Sequence, residues 1–195
     1  MTLLRVFMVV ASLGSVVPVV SAAEPDLAAW EKTLARKTVI LERLPELQKA
    51  FRTATEAADR EKIAKEFGEL RDEFQGKVYP QLAKLAPEVY AADPKNFEAG
   101  ETALESYFQA NKYDDAAKVG DQLIAVGRKT QIVMNITGVA HFARHDFPKA
   151  KSVLEAADKE GMLHPQLGGR YLEEVDNYAK FWEAEQAIRA KEAAA

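Results

Sequence analysis

His141 and His145 stand four residues apart in a segment that is predicted to be helical, a spacing that can bring two imidazoles to one metal ion. A zinc site needs at least a third protein ligand at a defined spacing, and the chain has no cysteine. His141 can instead fill an aromatic position in a contact between helices, with His145 in the turn that follows. We therefore predict no metal and no cofactor. The alternative, a metal-binding helical protein, is tested by titration with zinc or copper.

Three glutamates, Glu98, Glu101 and Glu105, recur at steps of three and four residues and so share one face of a helix. Paired carboxylates work as acid and base only when their pKa values differ, and nothing in the sequence predicts such a difference. The sequence also shows no nucleophile paired with a base and no phosphate-binding loop. We predict no catalytic residue. This face is either a solvated acidic surface or, if it binds a partner, one that prefers basic or polar segments.

A partner-binding surface is predicted on the helices that carry these glutamates and histidines. Phe108, Val139 and Phe142 can form an apolar strip that suits an amphipathic helix or an extended peptide. The same three side chains can equally be core residues or be covered by the last helix. The predicted partner-binding residues are Glu101, Glu105, Phe108, Asn135, Val139 and Phe142. The expected partner is a protein or a peptide, and no small-molecule substrate is evident.

The elements that position these residues are predicted from composition. Hydrophobic residues make up 48% of the chain and charged residues 29%, which is the balance of a globular protein with a core. Alanine, leucine, glutamate and lysine are abundant, and such residues favour helix over strand. The net charge of −4 argues against nucleic acid or an anionic membrane as the partner. The predicted fold class is all-α.

An internal repeat organises residues 97–164. The segments beginning at Tyr113 and Phe147 are 34 residues apart and share an aromatic residue followed by alanine three positions later. Thirty-four residues is the period of tetratricopeptide repeats. Small residues are expected where the paired helices touch, at Ala116, Gly138, Ala150 and Ala157. The segment resembles that family, with units Phe97–Thr130 and Gln131–His164, and the resemblance implies an α-α superhelix with a concave groove.

Amphipathic helices are predicted on both sides of the repeats. The N-terminal region, residues 24–90, is expected to form a long helical hairpin with a kink or break near Leu44, because Pro45 removes a backbone donor. The second helix of the hairpin is expected to end at Gly76 and Pro80. Residues 165–195 are expected to form a capping helix and the start of a linker. The apolar face of this helix consists of Leu172, Val175, Tyr178, Ala179 and Trp182.

Residues 1–23 have the pattern of a signal peptide, with Arg5 ahead of an apolar run that ends in small residues. Cleavage is expected after Ala22 or Ala23, which predicts an exported protein, periplasmic or secreted. An uncleaved anchor is the alternative, but the apolar run is shorter than the roughly 20 residues that span a bilayer. Cleavage would remove only Arg5 from the charged residues and leave 25 basic against 30 acidic side chains.

The C-terminal segment from Tyr178 to Ala195, with Trp182 followed by an alanine- and glutamate-rich stretch, resembles a linker helix of some exported bacterial proteins. In those proteins the linker joins a helical repeat region to a cyclophilin-type peptidyl-prolyl isomerase domain. The resemblance implies an accessory part of a secreted folding factor, without its catalytic barrel. The leading hypothesis is therefore an exported, non-catalytic protein-interaction module. The alternative is the N-terminal part of a secreted peptidyl-prolyl isomerase whose barrel lies beyond this chain.

Overall fold

The computed structural model describes residues 24–194, and this part of the chain consists of helices and turns without a β-strand. The prediction of an all-α fold is confirmed. The expected signal peptide, residues 1–23, lies outside the described residues. Among the helices of residues 24–194, none combines the length and the apolar character required to cross a bilayer.

Eight α-helices and two π-helical segments follow one another in residues 24–194. The α-helices are α1 (Leu27–Thr53), α2 (Ala57–Glu73), α3 (Tyr79–Ala92), α4 (Phe97–Gln109), α5 (Tyr113–Ala125), α6 (Gln131–Ala143), α7 (Phe147–Lys159) and α8 (Arg170–Ala193). The π-helical segments are Phe74–Val78, between α2 and α3, and Pro165–Gly169, which leads into α8. Helix α1 packs against α2 and α3, and we call these three helices the N-terminal hairpin.

Helix α1 continues through Pro45, so the expected break near Leu44 does not occur. Its first turn is capped by Asp26, whose side chain accepts a hydrogen bond from the Ala29 N–H at 2.9 Å. Pro45 is exposed and removes one backbone donor, whereas Ile40 and Leu47 on either side of it are buried. These core contacts anchor the helix on both sides of the proline.

The second arm of the hairpin also runs without interruption, from α2 through the π-helical segment Phe74–Val78 into α3. The expectation that a helix ends at Gly76 and Pro80 is therefore wrong. Proline has no N–H and its ring crowds the carbonyl four residues earlier in an α-helix. In the π-helical turn the Tyr79 N–H donates to the carbonyl of Phe74, five residues earlier, and the wider turn accommodates Pro80.

Helices α4 to α7 form two similar helical pairs. Each of the four helices has 13 residues, and 34 residues separate the start of α4 at Phe97 from the start of α6 at Gln131. The same interval separates the starts of α5 and α7. The turns repeat as well, because left-handed residues recur at this interval: Asn111 (φ 57°) and His145 (φ 61°), then Gly127 (φ 83°) and Gly161 (φ 69°).

Helix α8 closes the end of the second pair. It packs on α7 and α6, with Val175 buried and Trp182 half-buried against α7. Stacking of the Trp182 ring on His145, with centroids 3.7 Å apart, fixes the middle of the helix. Beyond Trp182 the helix continues to Ala193 with almost every side chain exposed.

Candidate binding pocket between the N-terminal hairpin and α4

A pocket of about 420 Å³ lies where the N-terminal hairpin meets the first helical pair. It is bordered by α1, the π-helical segment and α3 on one side, and by α4, the loop before α6 and α6 itself on the other. Its lining residues are Lys37, Phe74, Tyr79, Leu82, Glu98, Glu101, Thr102, Glu105, Arg128 and Ile132. Aromatic, aliphatic and charged side chains therefore meet in one concave site.

Helix α4 places its three glutamates in this pocket because its opposite face is buried. The helix begins at Asn96, whose side chain accepts a hydrogen bond from the Ala99 N–H at 3.1 Å. Ala99, Ala103 and Leu104 are fully buried against the neighbouring helices. A helix held in this way presents residues three and four positions apart on its other side, which directs Glu98, Glu101 and Glu105 toward the pocket.

Two of the three carboxylates are paired with cations. The Lys37 ammonium lies 2.7 Å from Glu98, and the Arg128 guanidinium lies 2.8 Å from Glu101. Glu101 also accepts a hydrogen bond from the Thr130 hydroxyl at 3.1 Å. The Arg128 guanidinium lies 5.8 Å from the centre of the Phe97 ring, a distance at which a cation is attracted to an aromatic face.

The third carboxylate, Glu105, differs from the other two. Its nearest polar partner is the Tyr79 hydroxyl, which donates a long hydrogen bond of 3.4 Å. Within residues 24–194, no lysine, arginine or histidine nitrogen lies within 4.0 Å of this carboxylate. Glu105 is thus a half-buried anion with a neutral partner.

Burial changes the proton affinity of both members of this pair. Loss of solvent raises the pKa of the Glu105 carboxyl, and Glu101 raises it further, while Lys37 and the Tyr79 hydroxyl act in the opposite direction. Burial together with the charge of Glu105 raises the pKa of Tyr79 to about 12. The two shifts have the same main cause, since both groups lie in a pocket that favours their uncharged forms.

Of the predicted partner-binding residues, the structure brings Glu101 and Glu105 together in this pocket. Phe108 lies on the same helix but packs against the core, and its ring meets Tyr113 edge to face at a centroid distance of 5.8 Å. Of these three residues, the pocket therefore contains only the two acidic ones, Glu101 and Glu105.

Asn135 and Val139 are buried, and the structure does not place them on a binding surface. The Asn135 amide nitrogen donates to the carbonyls of Gln131 and Met162, each at 2.7 Å, and its amide oxygen accepts from the His164 N–H at 2.8 Å. This side chain satisfies backbone groups of the loop after α7, so its polarity serves the fold. The prediction that these two residues contact a partner is therefore wrong for this structure, because neither side chain reaches the surface.

Phe142 is covered by the last helix, which was one of the two alternatives for it. Its ring meets Phe147, Tyr171 and Tyr178 edge to face, at centroid distances of 5.3, 4.9 and 5.1 Å. Such aromatic contacts stabilise the attachment of α8 to the second pair. Phe142 is thus a contact within the fold.

The two histidines have separate surroundings. His141 is fully buried, and its Nε2 atom lies 2.9 Å from a carboxylate oxygen of Asp121. His145 is exposed in the turn before α7 and stacks on Trp182. Residues 24–194 contain no group of three or more histidine, aspartate and glutamate side chains arranged to hold a metal ion.

Tyr79 and Phe74, which form the aromatic wall of the pocket, are not predicted from the sequence. The expected helix end at Gly76 and Pro80 separates them from the glutamates of α4. A signal was nevertheless present, because apolar residues continue at four-residue steps from Phe74 through Val78 to Leu82. Following that pattern through Pro80 would have predicted one continuous helix with Phe74 on its inner face. The position of Tyr79 depends on the π-helical segment, which the pattern does not predict.

Comparison of the chain with known proteins finds no family model, no curated protein and no solved structure that matches it. The fold and the pocket are therefore the observations on which a function can rest.

Proposed function

We propose that the chain is an exported, non-catalytic protein-interaction module of the tetratricopeptide type, possessing an α-α superhelix whose inner face binds a protein or peptide. Two observations support this proposal. The helical pairs α4–α5 and α6–α7 repeat at the tetratricopeptide period, and their turns repeat with them. Helix α8 covers the end of the second pair, as a repeat stack requires.

Those two observations concern the fold, and the binding role is carried by a single observation, the pocket. It is formed by the first helices of both pairs, α4 and α6, and its volume of about 420 Å³ falls in the range of side-chain and small-ligand sites. Exposed Ile132 borders it and offers an apolar contact beside the polar ones. A concave site of mixed character at the meeting of several helices suits a segment of another protein.

Acidic tails are not the expected partner. Capture of a carboxylate needs lysine, arginine and asparagine side chains that are free to donate. Asn135 already donates to two backbone carbonyls, and Arg128 and Lys37 are paired with glutamates. The pocket has three carboxylates and two cations, and it thus favours a positively charged partner.

An accessory role in protein folding is an alternative within this proposal, with the chain as the N-terminal part of a secreted peptidyl-prolyl isomerase. The observation that favours it is the exposed stretch of α8 after Trp182, which coincides with the segment that resembles a linker helix. Reading the gene beyond Ala195 decides between the two, because a downstream β-barrel supports the isomerase and an immediate stop codon contradicts it.

Crosslinking in cells tests the interaction module. We expect a photoreactive benzoylphenylalanine at Ile132 to crosslink to a partner in the exported fraction. The matched control is the same group at Phe181, which is 69% exposed on α8 and does not line the pocket. A folded Ile132 variant that yields no crosslinked partner, or the same products as the Phe181 variant, would contradict the proposal.

A further inference from the structure

We propose that the pocket takes the cationic side chain of an arginine or lysine from the partner, with Glu105 as its counter-ion and Tyr79 as the adjacent aromatic wall. This inference rests on the proposed function, because it names the chemistry by which that same site recognises a partner. It concerns one side chain of the partner, whereas the interaction module as a whole concerns an entire segment.

The charges of the lining residues argue for a cation. The pocket contains three carboxylates, Glu98, Glu101 and Glu105, and two cations, Lys37 and Arg128. Each cation is already paired at less than 3 Å, with Glu98 and Glu101 respectively. One negative charge is left over, and it belongs to the carboxylate that has a neutral partner. A partner's cation would complete the charge balance of the site.

The surroundings of Glu105 make this missing cation important. A half-buried carboxylate with one long hydrogen bond is poorly solvated, and burial accordingly raises its pKa. A guanidinium or ammonium placed beside it would form a short charge-assisted hydrogen bond and favour the charged form. Binding should therefore weaken as the pH falls and Glu105 takes up a proton.

The walls of the pocket fit the rest of such a side chain. The rings of Phe74 and Tyr79 lie 6.2 Å apart between centroids, with 47° between their planes, and provide aromatic faces for a cation. Leu82 and Ile132 provide apolar surface for the methylene groups of a lysine or arginine stem. The pocket therefore offers separate contacts for the charge and for the hydrocarbon part of one side chain.

A titration followed by NMR tests this inference. The probes are N-acetylarginine amide and its uncharged isostere N-acetylcitrulline amide, added to isotope-labelled protein comprising residues 24–195. We expect the arginine probe to shift amide resonances around Tyr79, Thr102 and Glu105, with a dissociation constant on the order of 10 mM for so small a ligand. The citrulline probe should bind at least about tenfold more weakly, since it lacks the charge.

Two variants complete the experiment. Glu105→Gln keeps the shape of the side chain and removes its charge, and it should weaken binding of the arginine probe about tenfold or more. Glu88→Gln, at an exposed position of α3 outside the pocket, is the matched control and should leave binding unchanged. The amide spectrum of each variant reports whether the fold is intact.

The outcomes separate this inference from the proposed function. Equal shifts with both probes, or binding that survives Glu105→Gln in a folded protein, would overturn the cation site. Absence of any shift in that concentration range would overturn it as well. If the Ile132 crosslink to a partner is nevertheless obtained, the interaction module stands and recognises something other than a cationic side chain. If the crosslink fails while the arginine probe binds, the module is wrong and the cation site remains.

Discussion

Gly120 lies where α5 packs closely against Thr137 of α6. A Cβ atom added at this position would overlap the side chain of Thr137 and come within 2.8 Å of its Cβ. Thr137 is fully buried, and its hydroxyl donates to the carbonyl of Val133 at 2.6 Å. A rotation of the threonine side chain cannot relieve this overlap, because the Cβ atom is fixed to the backbone of α6.

We expect Gly120→Ala to reduce the free energy of unfolding by about 1–3 kcal/mol, because the two helices have to move apart. Urea denaturation followed by circular dichroism measures this loss. The matched control is Gly68→Ala in α2, where an added Cβ meets no atom within 4 Å. Since alanine is the better helix former, that variant should gain about 0.5–1 kcal/mol. Equal effects at the two positions would contradict the close approach of α5 and α6.

Asn135 shows why residue type alone does not identify a residue that contacts a partner. An asparagine on a predicted helix has the polarity of a binding residue, and the sequence cannot tell which way its side chain points. Its partners are backbone groups at Met162 and His164, more than 25 residues later, which meet it only after α7 has folded back. Glu101 and Glu105 line the pocket, as charged side chains are rarely fully buried, and their contact with a partner stays a prediction.

Among the elements, the two helical pairs have a register that the sequence predicts and a similarity in packing that it hides. Helices α4 and α6 begin at Phe97 and Gln131, where sequence periodicity placed the starts of two units. The pairs share few residues because large and small side chains change places between them. Gly100 meets Leu123 in the first pair, whereas the equivalent buried positions of the second pair hold Met134 and Ala157.

A second exchange of size follows the same rule. Buried Leu104 and Gly120 of the first pair are replaced in the second pair by Gly138 and Leu154, which contact each other. The sum of the side-chain volumes is nearly preserved in each exchange, and packing density depends on that sum. A comparison residue by residue therefore underestimates how similar the two pairs are in structure.

The attachment of α8 gives a prediction for this element. Trp182 stacks on His145, and its neighbour Phe181 is exposed to solvent. We expect Trp182→Ala to lower the free energy of local opening of α8 by about 1–2 kcal/mol, which corresponds to roughly five- to thirtyfold faster amide exchange. Hydrogen exchange of the α8 amides measures this change.

Phe181→Ala is the matched control, since it removes a large aromatic ring from the same turn of the same helix. Its exchange rates in α8 should stay within about twofold of the original protein, because its ring makes few contacts. Acceleration by both variants alike would mean that the stacked ring does not hold the helix.

For the molecule as a whole, α2 and the helical pairs differ in how they are held. Helices α1 and α3 of the hairpin share one core with the helical pairs, and this core includes Ile40, Leu82 and Leu123. Helix α2 has no fully buried residue, and two ion pairs connect it to α1: Arg36 with Glu73 at 2.6 Å, and Arg43 with Glu66 at 2.8 Å. The attachment of α2 thus depends more on ion pairs than the packing of the helical pairs does.

Acid should therefore loosen α2 before it loosens the helical pairs. Hydrogen bonds from Arg43 and Arg36 lower the pKa values of Glu66 and Glu73 below the ordinary value of 4.5. Groups of this kind stabilise the folded form at pH values above their ordinary pKa, and the contribution is lost as the pH falls through the lowered values. We expect amide exchange in α2 to accelerate in that window, relative to α4–α7.

A double variant tests the source of this acid sensitivity. Glu66→Gln with Glu73→Gln removes both titrating groups, and α2 should then exchange faster already at neutral pH, with little further change in acid. The control pair, Glu61→Gln with Glu69→Gln, changes two exposed glutamates that form no ion pair with α1 in residues 24–194 and should preserve the pH dependence. An unchanged acid response in the first variant would show that other groups loosen the hairpin.

A π-helical turn holds one residue more than an α-helical turn, so Phe74–Val78 corresponds to a single-residue insertion in a regular helix. Deleting one residue there would return the arm to regular geometry and rotate everything after it by about 100°. Tyr79 would turn away from Glu105, and buried Leu82 and Val89 would leave the core at the same time. A one-residue change in the length of the arm would consequently alter the aromatic wall and the packing of α3 at the same time. Evolution can alter this wall by substitution, but not by changing the length of the arm.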